Sequence, residues 1–415
     1  MMNMYTKIER CRICGNNRLE QVLDLGSQML TGVFPRTISE EITQGPLRLV
    51  KCTGGADICG LLQLEHSYDL AEMYGNNYGY RSGLNASMVE HLHDAVNRIL
   101  RSVSLVPGDL VVDIGSNDCT TLRAYPSDGP TLVGIDPTGA KYSSYYPPHV
   151  QLIPEFFSPS LLQSRFSGKK AKVITSFSMF YDLEDPMAFM SEIREILGDD
   201  GVWIFEQSYM PAMLQMNSFD TICHEHLEYY SLRQIKWMTD RVGFRIEDVT
   251  FSDTNGGSFA VTVSKALDKT GVAPVVQEIL DEEQRQGLSS PDPYNVFSRN
   301  IQKTKDDLLH FVDGARKNGK TVAALGASTK GNVLLQYCGL TKNHIRYVGE
   351  VNVEKFGCLT PGSWIEIVPE DQVIGGKFDY LIVLPWHFRK SFVGNARLNS
   401  ETLVFPLPEL EIVKI

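Results

Sequence analysis

The thirteen residues DTICHEHLEYYSL, 220–232, hold two histidines, three acids, a cysteine and two tyrosines. That density admits three kinds of chemistry. On an extended segment His224 and His226 share a face with Glu228, since side chains alternate along a strand. A His-x-His pair with a carboxylate is a ligand set for iron or zinc. An acid–base centre asks for less: one imidazole titrating near neutrality, oriented by a carboxylate and set beside a substrate. His226 and Glu225 supply both parts. The third reading is a polar strand end whose histidines are satisfied by their surroundings. No distant cluster of His or Asp offers the remaining metal ligands, so the acid–base reading is preferred.

A metal has a better place elsewhere. Of eight cysteines, Cys11, Cys14, Cys52 and Cys59 fall in the first sixty residues, and Cys119, Cys223, Cys338 and Cys358 are scattered. Cys11-Arg-Ile-Cys14 has the spacing of a knuckle, a tight turn that points two thiolates at one ion. Four thiolates give tetrahedral zinc and can fold a segment too small for its own core. The second pair departs from that spacing, with TGGADI between Cys52 and Cys59, and Gly54 and Gly55 let the loop bulge. The plainer alternative is four reduced structural cysteines. Zinc is favoured, in a structural role, because four cysteines leave no open position for a substrate.

What positions the histidines is an α/β chain. In DLVVDIGSNDCTTL, Leu110 to Val112 read as a buried parallel strand, followed by Asp113, Gly115 and a helix start; TLVGIDPT then ends a second apolar strand on Asp136. Strand, glycine loop, helix and an acid at the next strand's end form a nucleoside-binding doubly wound sheet. A dinucleotide site would want G-x-G-x-x-G, so that a pyrophosphate can approach the helix N-terminus. One glycine instead suits S-adenosylmethionine (SAM), which has no phosphate, with Asp136 accepting both ribose hydroxyls. The alternative is an α/β fold without a nucleoside, in which Asp136 caps a helix. KVITSFSMFYDLEDP and GVWIFEQSYM read as a fourth and fifth strand.

A charged, then Gly/Ser/Pro-rich stretch, DEEQRQGLSSPDPYN, reads as a linker. Beyond it, TVAALGASTKGNVLLQY, IRYVGEVN and FDYLIVLPW predict a second small doubly wound sheet. Its loop is no Walker motif, because Lys330 follows Gly326 by four residues and no Ser or Thr comes next. The loop's amides and hydroxyls, with Lys330, can still hold a diphosphate at a helix N-terminus. Ser328, Lys330 and Asn332 are the substrate-binding candidates there. A decayed repeat serving as a packing platform is the bland alternative.

The fold expected is therefore α/β: two doubly wound Rossmann-like sheets, at 66–284 and 285–415, plus a small zinc-binding module over 1–65. A formal net charge of −11 disfavours a nucleic-acid or anionic-membrane partner. No stretch of roughly 18 apolar residues and no signal-peptide core at MMNMYTKIERC predict a cytoplasmic protein.

In order and content these motifs resemble the three-domain SAM-dependent sugar C-methyltransferases. The resemblance covers nearly the whole chain and rests on the early cysteines, NNYGYRSGLNASMVEHL, VVDIGSNDCTTL, CHEHLEYYSL, NGGSFAV and GASTKGN. It implies a methyl donor on Asp113, Gly115, Ser116, Asn117 and Asp136, with Phe156 or Phe157 near the adenine. It implies His226 as base with Glu225 beside it, and Tyr78 and Tyr80 closing over the active site. His224 and Tyr80 are the alternative bases. It also implies a C-terminal domain that helps to hold a nucleotide-linked sugar, and a reaction in which a 4-keto-6-deoxy sugar is methylated on carbon, at carbon 3, through an enolate. Two positions depart from the family: Cys223 stands where a tyrosine is usual, and Phe180-Tyr181-Asp182 where F-A-H is frequent. O-methylation, or a non-enzymatic zinc-bearing scaffold, are the rival readings; the intact acids Asp113 and Asp136 argue against the scaffold.

Overall fold

The computed structural model describes residues 5–55, 57–74, 80–267, 271–398 and 401–415. Tyr78 lies outside them. Two open sheets dominate the molecule. The first has seven strands in the order Phe244–Ser252, Ser258–Lys265, Leu197–Ser208, Ala171–Phe177, Leu110–Ile114, Thr131–Ile135 and Val150–Ile153. Its last five are mutually parallel, and Ser258–Lys265 inserts antiparallel beside Leu197–Ser208. The strand order reverses between Leu110–Ile114 and Ala171–Phe177, and crevices at such switch points hold ligands.

Helix Ala86–Ser102 shows why the chain folds as it does here. Met88, Leu92, Ala95, Val96 and Ile99 recur at helical spacing and are the buried face, and Asn85 caps the first turn by accepting from the amide of Ser87. Val96 and Ile99 pack against Val111 and Val173 of the sheet.

The second sheet runs Ile367–Pro369, Val348–Glu350, Val322–Leu325, Tyr380–Val383, Thr402–Phe405 and Glu411–Lys414. Its first five strands are parallel and the last is antiparallel. The switch lies between Val322–Leu325 and Tyr380–Val383. Gly326 turns the chain there with φ +84°, and a Cβ on it would sit 2.5 Å from the ring of Pro385. Only glycine allows these two loops to touch.

The N-terminal module is an antiparallel sheet of Leu19–Met29, Gln44–Cys52 and Leu62–Leu64. Its fourth strand comes from far along the chain: Glu228–Tyr229 pairs with Gln63 and Leu62. The four sulfurs of Cys11, Cys14, Cys52 and Cys59 lie within 4.8 Å of one another. Cys11 and Cys59 are 3.4 Å apart, Cys14 and Cys52 3.5 Å. Zinc–thiolate bonds of about 2.3 Å put tetrahedral sulfurs roughly 3.8 Å apart, so the four fit zinc. Asn16 donates to the Cys52 sulfur at 3.2 Å, a bond that steadies a thiolate.

Between the knuckle cysteines, Arg12 reaches out of the module. It donates to the Leu64 carbonyl at 2.7 Å and to Ser67 at 2.9 Å, and its Nε stands 3.3 Å from Glu184 and 3.7 Å from Glu228. Arg12 thus ties the cysteine turn to the segments that carry Glu184 and Glu228.

The stretch read as a linker is largely exposed, but it is anchored at two buried residues, Glu283 and Tyr294. Helix Pro274–Arg285 buries Glu283, whose carboxylate accepts from Tyr209 (2.8 Å), Ser231 (2.8 Å) and the amides of Leu232 (2.6 Å) and Arg233 (3.0 Å). It caps helix Leu232–Val242, supplying the acceptor that the first amides of a helix lack. Within that stretch, Glu283 is the acid whose partners, four donors on other segments, composition does not reveal. Helix Asp292–Lys317 follows.

Loss of one thiolate tests the module's role. Cys11→Ser is expected to empty the zinc site, read by elemental analysis, and to lower the melting temperature by several degrees, about 2–4 °C per kcal/mol in domains of this size. Amide exchange at Leu64 and Leu227 should rise with it, because Leu64 donates to Leu227 and Leu227 to Tyr181. A metal-free protein of unchanged stability would remove zinc from the fold.

Candidate active site

The opening stretch of titratable residues is a turn, not an extended strand. The amide of His226 donates to the carbonyl of Cys223, and only Glu228–Tyr229 is paired as strand. The turn sends the two histidines to different places. His224 is fully buried, edge-on to Tyr68 at 4.7 Å, within the N-terminal module. Burial lowers its pKa to about 3. It lines none of the cavities described below, so the expectation that it shares a face with His226 is corrected: the period of two holds only where the chain is extended.

His226 alone among residues 221–230 is partly exposed. Its Nδ1 lies 2.8 Å from the Thr221 carbonyl oxygen. A carbonyl only accepts, so Nδ1 carries the hydrogen and Nε2 keeps its lone pair. Burial lowers the pKa to about 4, the Lys330 ammonium adding to the effect and the Thr221 bond opposing it. At neutral pH the ring is therefore an uncharged base. Tyr181 holds it edge to face at 4.4 Å.

Glu225 is buried against the N-terminal module. A Cβ on Gly32 would sit 2.1 Å from its Oε1 and 3.5 Å from the hydroxyl of Thr329. Three parts of the chain meet at that one carboxyl. Burial raises the pKa of Glu225, and raises that of Asp182 well above the carboxylate range, the charge of Glu225 adding to the latter and a bond from Tyr74 opposing it. Oδ1 of Asp182 and Oε2 of Glu225 find no hydrogen-bond partner among the described residues.

Three cavities run in a row. The first, about 290 Å³, lies past the carboxyl ends of the first sheet's strands and is lined by Gly115, Ser116, Asn117, Asp136, Phe156, Phe157 and Met179 among others. Asp136 accepts from the amide of Asn117 (2.8 Å) and from the amide and hydroxyl of Thr138 (2.7 and 2.6 Å). Asp113 is not in the wall. It sits beneath the loop accepting from Thr175 at 2.5 Å, and burial lifts its pKa to about 7. Its strand alternates, and it points with Val111 toward the helix layer, so it supports the loop rather than facing a ligand. Phe157 packs on Phe189 at 5.4 Å, while Phe156 stands exposed at the mouth.

The middle cavity, about 250 Å³, is lined by Tyr74, Tyr80, Asp182, Glu225, His226, Asn255, Lys330 and His387 among others. The third, about 520 Å³, opens at the second sheet's switch point, between Gly326–Thr329, Glu350–Asn352, Lys355 and Phe388, with Gly32 and Phe34 contributed by the N-terminal module. Tyr80 lines all three; Asp182 is common to the first two and Ser328 to the last two.

Two of the substrate-binding candidates sit elsewhere than expected. Lys330 reaches the middle cavity, donating to the Asn255 carbonyl at 2.8 Å. Asn332 is buried and donates to the Thr31 carbonyl at 2.8 Å, joining the second sheet to the N-terminal module. It follows Lys330 by two residues on helix Thr329–Tyr337, which turns it to another face. Ser328 lines its cavity while accepting from the amide of Gly331 at 3.0 Å. Sequence reading missed Glu350, Asn352, Lys355, His387 and Phe388. The strand ends in VGEVN and LPWHF were the available signal, since ligands gather past carboxyl ends.

Both buried imidazoles make a pH prediction. The unfolded chain takes up protons near 6.5, whereas the folded one resists until about 4 at His226 and 3 at His224. The imidazoles' contribution is thus full above pH 6.5 and falls as the pH drops through that value, by roughly 1–1.5 kcal/mol per imidazole at pH 5.5, while the raised carboxyl of Asp113 acts in the opposite sense. Urea unfolding of wild type and His224→Asn between pH 7.5 and 5 isolates it: the variant should lack one imidazole's share of the loss.

Comparison with known proteins agrees with this architecture. The chain matches family models for a zinc-binding domain over 11–74, a methyltransferase domain over 85–249 and a C-methyltransferase C-terminal domain over 253–408. It is 30% identical to the C-methyltransferase NovU of Streptomyces niveus, over 100% of this chain and 99% of that one. Among solved structures, magnesium protoporphyrin IX methyltransferase of Synechocystis PCC 6803 with bound SAH aligns over 44% of this chain and 88% of its own (15% identity, TM-score 0.33). The CcbJ methyltransferase of Streptomyces caelestis aligns over 42% and 90% (11% identity, TM-score 0.33), and neither score is high enough to carry an argument. The full-length likeness to a C-methyltransferase and the three matched models show the family: the chain is a member of the SAM-dependent C-methyltransferases built from a zinc module, a methyltransferase sheet and a C-terminal sheet.

Proposed function

We propose that this protein methylates a nucleotide-linked 4-keto-6-deoxy sugar on the ring carbon next to its keto group, at carbon 3. One observation carries the reading: the confluence of the three cavities, with Tyr80 in the wall of each. The first is placed for the methyl donor, with Asp136 toward the ribose hydroxyls and Phe156 and Phe157 beside the base. The third has the shape of a nucleotide site: a helix N-terminus at Ser328–Thr329, Lys355 as a cation, and Glu350 at the end of the adjacent strand in the position that Asp136 holds in the first sheet. The middle cavity, between them, is where the sugar ring belongs.

There His226 acts as base. A keto group acidifies the hydrogen on the neighbouring carbon, and Nε2 accepts that proton while the bonding pair moves onto the carbonyl oxygen. Glu225 and Tyr80 orient the sugar hydroxyls. The bound SAM supplies an electrophilic methyl group; the enolate carbon takes it and the ketone re-forms. Proton transfer by a positioned base contributes about 10²–10⁴-fold, and holding both substrates in reach contributes more.

Labelled SAM and a panel of 4-keto-6-deoxyhexoses on dTDP, GDP and CDP test the proposal. One member should gain a methyl group on carbon, seen by NMR; a methoxy signal would replace this reading by O-methylation. His226→Ala should lower turnover at least ~100-fold with unchanged SAM affinity. Asp136→Ala should chiefly weaken SAM binding in calorimetry; a purely catalytic defect would refute the ribose assignment.

A further inference from the structure

The GASTKGN loop belongs to the second sheet, yet its lysine side chain leaves that sheet's cavity and enters the reaction cavity. Two features hold it there. Asn255, in the left-handed region at φ +56°, turns its carbonyl toward Nζ at 2.8 Å. Burial lowers the Lys330 pKa, and Asp220, buried behind and bonded to the Trp386 indole at 2.9 Å, opposes that shift and favours the ammonium. An ammonium has three hydrogens, and Asn255 takes one. The cavity's other fixed cation, Arg81, lies over the Tyr145 ring and donates to its hydroxyl, with Asp118 approaching its Nε at 3.6 Å.

Building on the function proposed above, we propose that Lys330 is a catalytic residue, its free ammonium hydrogens receiving the substrate's carbonyl oxygen as that oxygen becomes an enolate. In the step, the C–H bond breaks, its proton goes to Nε2 of His226 and its electron pair ends on the oxygen facing Lys330. The pair then returns to form the carbon–carbon bond as the carbon–sulfur bond of the donor breaks toward sulfur. The proton on His226 leaves to solvent. A preorganised charge aimed where negative charge develops is among the largest catalytic contributions.

The same ammonium keeps the base ready. Facing His226 are Glu225 and Cys223 on its own turn, Tyr181 and Asp182 from the first sheet, and His387 and Lys330 from the second. Lys330 is the group among these that disfavours a second positive charge on the imidazole. The third domain's loop thereby acts on the chemistry as well as on substrate binding, which is not what a diphosphate-holding lysine would do.

Lys330→Gln keeps a donor for the Asn255 carbonyl and removes the charge. With the turned-over sugar of the panel, kcat should fall about 10²–10³-fold, KM less than tenfold, and SAM affinity should hold; Lys330→Arg should recover part of the loss. Washout of the carbon-bound hydrogen into D₂O, with SAH in place of SAM, should fall by a similar factor. In the protein alone, NMR titration should show the His226 pKa rising above about 4, with burial still holding it below the ordinary imidazole value. A raised KM with intact kcat, or unchanged washout, would return Lys330 to phosphate binding and overturn the inference. Should wild type methylate no panel sugar, the proposed substrate fails; the titration then still decides, an unmoved His226 sinking the role of Lys330 and a shifted one upholding it for whichever ketone serves. If the glutamine variant does not fold, Lys330→Met is read in the same way.

Discussion

A carbonyl oxygen can accept a hydrogen but has none to give, and that constraint at Thr221 settles the state of His226. Because Nδ1 must donate to it at 2.8 Å, the neutral ring has its lone pair on Nε2. The proposed role of His226 as base rests on this tautomer. It persists because the turn carrying it is pinned at both ends. Phe219, Ile222, Cys223 and Leu227 are packed into a core shared with the second sheet, whereas Tyr230 and Leu232 belong to the core of the first. The strand Glu228–Tyr229 closes the clamp against the zinc module.

Charge in the cleft is arranged around an uncharged base. Burial depresses His226 and raises Glu225 and Asp182, each shifted toward its uncharged form, and the cations lining the same cavity are Lys330 and Arg81. Opposed shifts in neighbouring groups separate the roles of proton acceptor and proton holder. Cys223 fits the same pattern: burial pushes its thiol pKa well up, negative charge on Glu225 and Asp182 adding to the effect, which leaves it an inert small side chain. Asp182, unlike Cys223, lines the middle cavity and adds a carboxyl to its wall.

Much of this was legible in the residues themselves, where the signal is local. An apolar run followed by Gly115 and, twenty residues on, Asp136 specifies strand, loop and strand end whatever lies around it, and the cysteine knuckle specifies its turn. The limits are physical as well. Nothing in the spacing of His224 and His226 distinguishes a strand from a turn, and the difference decides which of them meets solvent. Asn332 and Lys330 share a motif but are parted by the helical period. Glu283 looks like one more surface acid until the helix that it caps is in place. Long-range partners decide such cases, and a sequence records them only as compatible pieces.

The borrowed strand at Glu228–Tyr229 bears on how such enzymes can be recombined. A graft of the C-terminal half, cut at the boundary that composition suggests near residue 285, would bring its own lysine loop yet face a foreign histidine turn, and that turn is laced to the amino-terminal sheet through Leu62 and Gln63. Compatibility in a chimera therefore has to be matched across three separated stretches of the chain. Ancestry should show the same linkage, with the zinc module inherited alongside the histidine turn more faithfully than its distance in sequence implies.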